Sequence, residues 1–207
     1  MHIPKTGGSG IKRYLRDVPF TRTIDGDMHK PLIKWPLTMK NYDFFAFIRN
    51  PYTRFFSAYE QINRQILTMD PEVGRHEKIS ELSFYLESGK ELTINQFIEY
   101  VIRINWNSFS MSQTKMINVG KTPTREVNYV LKYEEYEKNV MFMFKKLGIY
   151  SNITIQKHNR NPKTSRTTSS DEYYFNKYKN VSSLDFILEF YKDDFENYDY
   201  NKNFKRI

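Results

Sequence analysis

The chain contains no cysteine, which excludes disulfide bonds, thiolate metal sites and cysteine nucleophiles. Its 207 residues include no apolar run close to the roughly 20 residues that span a bilayer. The first residues lack the charged, apolar and small-residue order of a signal peptide, and no internal repeat is visible. These absences predict a soluble chain, and nothing indicates an oxidising compartment.

The composition is rich in aromatic and basic residues. Sixteen tyrosines and sixteen phenylalanines predict an aromatic core, and the length suits one domain, residues 1–207. The formal net charge is +8 and the isoelectric point is about 9.4, so we expect an anionic partner. Nucleotides, nucleic acid, acidic glycans and a membrane surface all remain open at this point.

Apolar runs of strand length alternate with segments of helical period. The best predicted strand is the continuous apolar and aromatic run 42–48, which we expect to be covered on both faces. Shorter strands are predicted at 1–3, 127–131 and 153–155, and helices at 11–16, from 51, from 94, and at 134–147, 171–179 and 183–192. The pattern predicts an α/β fold: one domain with a central, mainly parallel sheet flanked by helices.

The segment from Pro4 to Gly10, called the glycine loop below, predicts a binding site for an anion. A strand stops at the proline, turns tightly through two adjacent glycines and continues as a helix. Backbone N–H groups and the positive helix end would face one point, and Lys5 would add a full charge. The loop is not a Walker A motif, because its lysine precedes the glycines.

Arg49 and Ser57 form a second candidate anion site. Arg49 ends the best predicted strand, at the edge where α/β proteins bind ligands. Asn50 then predicts a helix N-cap and Pro51 the first helical position. Ser57 lies two turns along that helix, on the side that also carries Arg54, so Arg49 and Ser57 would reach the same anion.

Two further candidates lie in polar stretches. His29 stands beside Lys30 and close to two acids, although a lone histidine is usually an ordinary surface or hydrogen-bonded residue. The most polar stretch, 157–171, is predicted to be a mobile loop and carries Lys163 and Arg166.

Two segments, taken in order, resemble the cofactor-binding signatures of the Golgi-type carbohydrate sulfotransferases, especially the branch containing heparan sulfate 2-O-sulfotransferase. The segments are Pro4-Lys5-Thr6-Gly7-Gly8-Ser9 and Arg49-Asn50-Pro51-Tyr52-Thr53-Arg54-Phe55-Phe56-Ser57-Ala58-Tyr59. The residues around 158–161 and the run Tyr191-Lys192-Asp193-Asp194-Phe195 are also similar to that family's closing pattern.

The resemblance implies a P-loop-like sulfotransferase fold and a metal-independent reaction. A sulfuryl group would pass from 3′-phosphoadenosine 5′-phosphosulfate (PAPS) to an acceptor hydroxyl, and the family points to a carbohydrate as the acceptor. The nucleotide product would be the 3′,5′-bisphosphate (PAP). By motif position, Lys5 and the backbone of Thr6, Gly7, Gly8, Ser9 and Gly10 would hold the 5′-phosphosulfate. Gly10 stands where the family usually has a serine or threonine, so one hydroxyl contact would be lost.

The other site roles follow from the same resemblance. Arg49 and Ser57, eight positions apart as in the family, would hold the 3′-phosphate, and Lys163 and Arg166 would close over the nucleotide. A histidine between the two motifs is the catalytic base in the 2-O-sulfotransferase branch, and His29 is the only one there. Asp25 and Asp27 are the rivals, because other branches use a carboxylate. Lys5 would be catalytic as well, by stabilising charge on the leaving nucleotide.

Two other functions compete with sulfuryl transfer. A kinase or NTPase of the P-loop class shares the strand-loop-helix logic, but the lysine is misplaced and no clear magnesium ligand accompanies it. A basic nucleic-acid-binding module would suit the charge, but most aromatics lie on apolar stripes and are expected in the core. We expect no metal, no nucleic acid and no membrane span. The enzyme would be cytoplasmic, or in the Golgi lumen if the chain is a truncated piece.

Overall fold

A computed structural model describes residues 1, 3–16, 31–35, 38, 42–68, 91–103, 111–118, 126–149 and 170–204. The helices and strands of these residues are, in chain order, α1 (Gly8–Arg16), a 3-10 turn (Leu32–Lys34), β1 (Phe45–Ile48), α2 (Pro51–Thr68), α3 (Ile94–Arg103), α4 (Gln113–Asn118), β2 (Tyr129–Lys132), a 3-10 turn (Tyr133–Glu135), α5 (Tyr136–Lys146), α6 (Ser170–Tyr178), α7 (Leu184–Phe190) and α8 (Lys192–Asn197). The result is a helix-rich α/β structure.

Within the described residues, β1 and β2 form a small parallel sheet. Phe45 pairs with Tyr129 and Ile48 with Lys132, and the connection between the strands runs through α2, α3 and α4. The parallel pairing predicted from the sequence is therefore confirmed for these two strands. A larger central sheet is not shown, and the strand predicted at 153–155 lies outside the described residues.

The strand predicted at 1–3 is wrong as far as its described residues go, since Met1 and Ile3 have no strand conformation. The Met1 nitrogen nevertheless donates a hydrogen bond to the Phe45 carbonyl oxygen at 2.7 Å, so the segment lies beside β1. Pro4 follows Ile3 at once and has no N–H to donate, so it cannot extend a strand ladder.

The predicted N-cap of α2 is confirmed, and two other helix ends are also set by local residues. Asn50 caps α2, because its side-chain oxygen accepts a hydrogen bond from the Tyr52 N–H at 3.0 Å. Thr93 and Gln96 form a capping box before α3, with the Gln96 side chain accepting from the Thr93 N–H at 2.8 Å. Gly148 ends α5 in a left-handed conformation, with φ of +69°.

Four predicted helices have different bounds in the structure: α1 begins at Gly8, three residues before its predicted start, and α6 is shifted by one residue. The helix predicted over 134–147 begins as the 3-10 turn Tyr133–Glu135 and continues as α5. The helix predicted over 183–192 is interrupted at Tyr191, after which α8 begins as a separate element. Such short 3-10 turns and breaks occur at helix ends, where apolar periodicity carries little information about the boundary.

The core is aromatic, as predicted, and covers both faces of β1. Ala46 and Ile48 join one cluster that contains Phe56 and the aromatic side chains of α2, α3 and α6 to α8. Phe47 points to a second cluster that is built mainly by α5. The strand therefore lies between two apolar layers, with the glycine loop and the first turn of α2 beside its carboxyl end.

No helix in the described part of the chain is both long and apolar enough to cross a membrane.

Candidate functional site

The glycine loop leads from the buried Ile3 into α1 through two left-handed residues. Lys5 has φ of +68° and Gly7 has φ of +86°. A left-handed lysine is strained, and such residues cluster at ligand-binding sites. The Thr6 hydroxyl donates to the Ile3 carbonyl oxygen at 2.7 Å, and the Gly10 N–H donates to the Gly7 carbonyl oxygen at 3.0 Å. The loop is thus closed on itself just before the positive end of α1.

Two arginines of the second signature hold the glycine loop by its carbonyl groups. Arg54 Nε donates to the Pro4 carbonyl oxygen at 3.2 Å, and Arg49 Nη1 donates to that of Lys5 at 3.4 Å. Both arginines are almost fully buried, at 2% and 3% exposed. The structure therefore brings together two segments that lie more than 40 residues apart in the chain.

The Lys5 side chain turns towards α2. Its Nζ donates to the Gln61 side-chain oxygen at 2.7 Å. Gln61 lies one helical turn after Ser57 on the same face of α2, so the ammonium group meets this helix close to the predicted second anion site. Ser57 itself is nearly buried, and its ligand stays a prediction.

Lys5 belongs to a concentration of positive charge. Burial lowers the pKa of Lys5 to about 7, and repulsion from Arg49 and Arg64 adds to the effect while Glu60 opposes it. The lysine therefore loses its proton far more readily than an exposed lysine does. A bound anion would relieve the repulsion and restore the full charge.

Tyrosine rings surround Arg49 and the loop. The Arg49 guanidinium carbon lies 4.8 Å from the centre of the Tyr133 ring and 5.5 Å from that of Tyr174. Tyr136 donates a hydrogen bond to the Gly7 carbonyl oxygen at 3.0 Å. Two of the rings come from the adjoining 3-10 turn and α5 and the third from α6, so two parts of the chain distant from the loop in sequence contribute to one small region.

The main chain of Arg49 is bound by a buried glutamine. The Gln113 side-chain oxygen accepts from the Arg49 N–H at 2.8 Å, and its amide nitrogen donates to the Arg49 carbonyl oxygen at 2.8 Å. Asp194 in turn accepts hydrogen bonds from the backbone N–H groups of Gln113 and Thr114, at 2.9 Å and 2.7 Å. Sequence reasoning gave Gln113 no role, since a lone glutamine carries no motif, and it noted Asp194 only as part of the closing pattern.

Three predicted site residues lie outside the described residues: His29, Lys163 and Arg166. The rivals Asp25 and Asp27 do so too. Gly8, Ser9 and Gly10 form the first turn of α1, where the leading N–H groups of a helix have no carbonyl partner within the helix, and that of Gly10 binds the Gly7 carbonyl oxygen just before it. Among the residues that the structure does describe, no cluster of histidine and acidic side chains could hold a metal ion.

Taken together, the loop, the start of α1 and the two arginines form one basic region. Arg49 and Arg54 bind the loop, Lys5 belongs to it, and α1 begins within it. Glu60, whose charge opposes the lowering of the Lys5 pKa, accepts hydrogen bonds from Lys177 at 2.6 Å and from Tyr173 and Tyr178 at 3.0 Å each.

Comparison with known proteins identifies the family. The profile of the sulfotransferase family matches residues 1–201, which is nearly the whole chain and includes both signatures. Neither the curated proteins nor the solved structures gave a significant match. The profile spans the glycine loop, the Arg49 segment and the tail through α8, so the chain belongs to the sulfotransferase family, and it is a transferase.

Proposed function

We propose that the protein transfers a sulfuryl group from PAPS to an acceptor hydroxyl on a carbohydrate, as in the branch that contains heparan sulfate 2-O-sulfotransferase. The observation that carries the proposal is the pair of hydrogen bonds from Arg49 and Arg54 to the glycine loop. These bonds join the two segments that the resemblance assigns to the two ends of PAPS. Family membership supports the reaction class, and the ordered pair of motifs supports the cofactor and the branch.

The described residues fit a nucleotide that carries two anionic groups. Burial lowers the pKa of Lys5, and repulsion from Arg49 and Arg64 adds to the effect, so a bound anion would stabilise the charged form of this lysine. α1 has nine residues, enough for its positive end to contribute beside the loop. Lys5 and the loop backbone would hold the 5′-phosphosulfate, and Arg49 with Ser57 the 3′-phosphate.

PAPS would supply the activated sulfuryl group, and the chain would supply alignment, charge and a base. Lys5 Nζ would stabilise negative charge on the phosphate oxygen that leaves as the sulfuryl group is transferred. Lys163 and Arg166 would close over the nucleotide from the basic loop. His29, in its neutral form, would accept the proton of the acceptor hydroxyl, with Asp25 or Asp27 as the alternative base.

Replacing His29 by alanine is expected to lower kcat by about 10²-fold while leaving PAP affinity unchanged, because a general base acts on the acceptor and not on the nucleotide. Initial rates of sulfate transfer and calorimetric titration with PAP measure the two effects. Asp25→Asn and Asp27→Asn are the matched variants. If the His29 variant still transfers sulfate and one of the aspartate variants loses activity, that aspartate is the base instead.

The affinity for PAP is expected to fall as pH rises through about 7, where Lys5 loses its proton in the free protein. A bound dianion favours the charged lysine, so binding above this pH requires proton uptake, and the dissociation constant rises by up to tenfold per pH unit. Below this pH the lysine is already charged and contributes no such slope.

Calorimetry in buffers of different ionisation enthalpy measures that proton uptake directly. Lys5→Met keeps the length of the side chain and removes the titrating group, so the slope above neutral pH should disappear. An equal slope in both proteins would assign the titration to another group.

The proposed reaction is tested by incubating the full chain with PAPS carrying labelled sulfate and a panel of glycans, with PAP release measured in parallel. Stoichiometric label transfer and PAP release with at least one glycan are expected. Release without any labelled acceptor across carbohydrate, tyrosine, lipid and small-molecule hydroxyls would contradict it. So would magnesium-dependent ATP turnover, or salt-dependent oligonucleotide binding without any response to PAPS.

A further inference from the structure

Arg49 lies one residue beyond β1, where the strand ladder no longer binds its main chain. The parallel register ends with the pair Ile48 and Lys132, so neither the N–H nor the carbonyl group of Arg49 belongs to a further strand pair. Both groups are instead bound by the side-chain amide of Gln113, at 2.8 Å each. The amide thus acts as a neighbouring strand would, for a single residue, and restricts rotation of the Arg49 peptide.

Gln113 is itself held from the tail of the chain. It is fully buried, at 0% exposed, and opens α4. The Asp194 carboxylate, also 0% exposed, accepts from the backbone N–H groups of Gln113 and Thr114. One of its oxygens also lies 3.5 Å from the Gln113 amide nitrogen. Asp194 belongs to α8, so residues 81 positions apart are linked through one buried carboxylate.

The buried Asp194 carboxylate also interacts electrostatically with Arg54 of the second signature. Asp194 and the buried Arg54 attract each other, which opposes the effect of burial on both groups. Arg54 holds the glycine loop through the Pro4 carbonyl oxygen, and Arg49 holds it through that of Lys5. Asp194, in the tail, therefore acts on both arginines. It attracts Arg54 electrostatically and binds Gln113, which holds the Arg49 peptide.

We propose that Gln113 is a positioning residue for Arg49, held in place by Asp194, and that this chain of contacts sets the preference for a nucleotide with a 3′-phosphate. The inference rests on the proposed function, which assigns Arg49 to that phosphate. Because the Arg49 peptide is restrained, its side chain can adopt fewer orientations. Less conformational entropy is therefore lost when the guanidinium binds the phosphate. Gln113 touches no substrate in this scheme and acts only through Arg49.

The test compares PAP with AMP, which differ only in the 3′-phosphate, as ligands of the full chain in calorimetric titrations. The native protein should prefer PAP, and Arg49→Ala should lose most of that preference. Gln113→Met keeps the side-chain volume but removes both hydrogen bonds to Arg49. It should weaken PAP binding by about tenfold and leave AMP affinity unchanged, so the preference for PAP falls by the same factor. In the Arg49→Ala background, Gln113→Met should change the preference no further.

Ser112→Ala is the matched control on the same helix. The Ser112 hydroxyl accepts from the Lys115 N–H at 3.1 Å, so its loss weakens the start of α4 without touching Arg49. It should lower the melting temperature and leave the preference intact. If Gln113→Met does not fold, Asp194→Asn replaces it: one backbone N–H loses its acceptor, and the preference should fall several-fold in the same direction.

The outcomes separate the two levels of the proposal. Equal weakening of PAP and AMP in the Gln113 or Asp194 variant, or an equal loss of preference in Ser112→Ala, would show a purely structural role and overturn the inference while leaving Arg49 assigned. An unchanged preference in Arg49→Ala would remove Arg49 from the 3′-phosphate site, and both the assignment and the inference would fall.

Discussion

Lys5→Ala is expected to abolish sulfuryl transfer, with kcat/KM falling by about 10³–10⁴. One preorganised donor at a site of developing charge contributes roughly 10²–10³ in rate, and Lys5 would also lose its share of nucleotide binding. The structure supports a large effect, because the Lys5 ammonium lies in a partly buried region beside Arg49 and Arg64. In such surroundings a charge acts more strongly than it would in water.

Two variants separate the charge of Lys5 from its packing. Lys5→Met retains the side-chain length and should be nearly as inactive as Lys5→Ala, with an unchanged fold by circular dichroism. Lys12→Ala removes an exposed lysine from α1 that lies close to Lys5 in sequence and carries the same charge. This variant should retain native activity. Initial rates of labelled-sulfate transfer measure all three. Activity of Lys5→Met within tenfold of the native protein would exclude Lys5 from the stabilisation of the leaving group.

The elements that frame the site were predictable because their signals are local. Asn50 followed by Pro51 marks a helix start, Thr93 caps α3, and Gly148 ends α5 in the left-handed conformation that glycine adopts at little cost. Each signal depends on contacts within a few residues, so it can be read without the fold. The turn of the glycine loop was also visible in adjacent residues, although the contacts that hold the loop come from Arg49, Arg54 and Tyr136.

The partners of the site were not predictable, since they come from distant parts of the chain. Lys5 is bound by Gln61, 56 positions away, and Arg49 by Gln113, 64 positions away. Gln113 is in turn bound by Asp194, 81 positions away. A side chain such as Gln113 has the same local appearance whether it faces solvent or a buried peptide. Periodicity marked one side of α2 as polar, but the structure buries Arg54 there because Pro4 and Asp194 offer it partners.

Glu60 shows how ordinary packing contacts also serve the site. Lys177 and two tyrosines of α6 converge on its carboxylate and fasten that helix to α2. Tyr174, on the same short helix, then lies over the Arg49 guanidinium. The position of Arg49 therefore depends on its peptide, through Gln113, and on its side chain, through the rings of Tyr133 and Tyr174.

Gly7→Ala is expected to lower the free energy of unfolding by about 2–5 kcal/mol and to remove nucleotide binding. An added Cβ would lie 2.6 Å from a ring carbon of Tyr136 and 2.8 Å from one of Tyr133, closer than real Cβ atoms come. The clash costs about 1–3 kcal/mol, and the φ of +86° adds about 1–2 kcal/mol for an L-residue. Because Tyr133 also covers the Arg49 guanidinium, its displacement would disturb both signatures at once.

Gly148→Ala isolates the backbone contribution to that loss. Gly148 has a similar φ of +69°, but nothing lies within 4 Å of the position that a Cβ would take. Its substitution should therefore cost only about 1–2 kcal/mol and leave PAP affinity unchanged. Denaturant unfolding gives both free energies, and calorimetry gives the affinities. Equal destabilisation of the two variants would mean that the tyrosine rings yield to the added methyl group, and the close packing of Gly7 against them would then not constrain the loop.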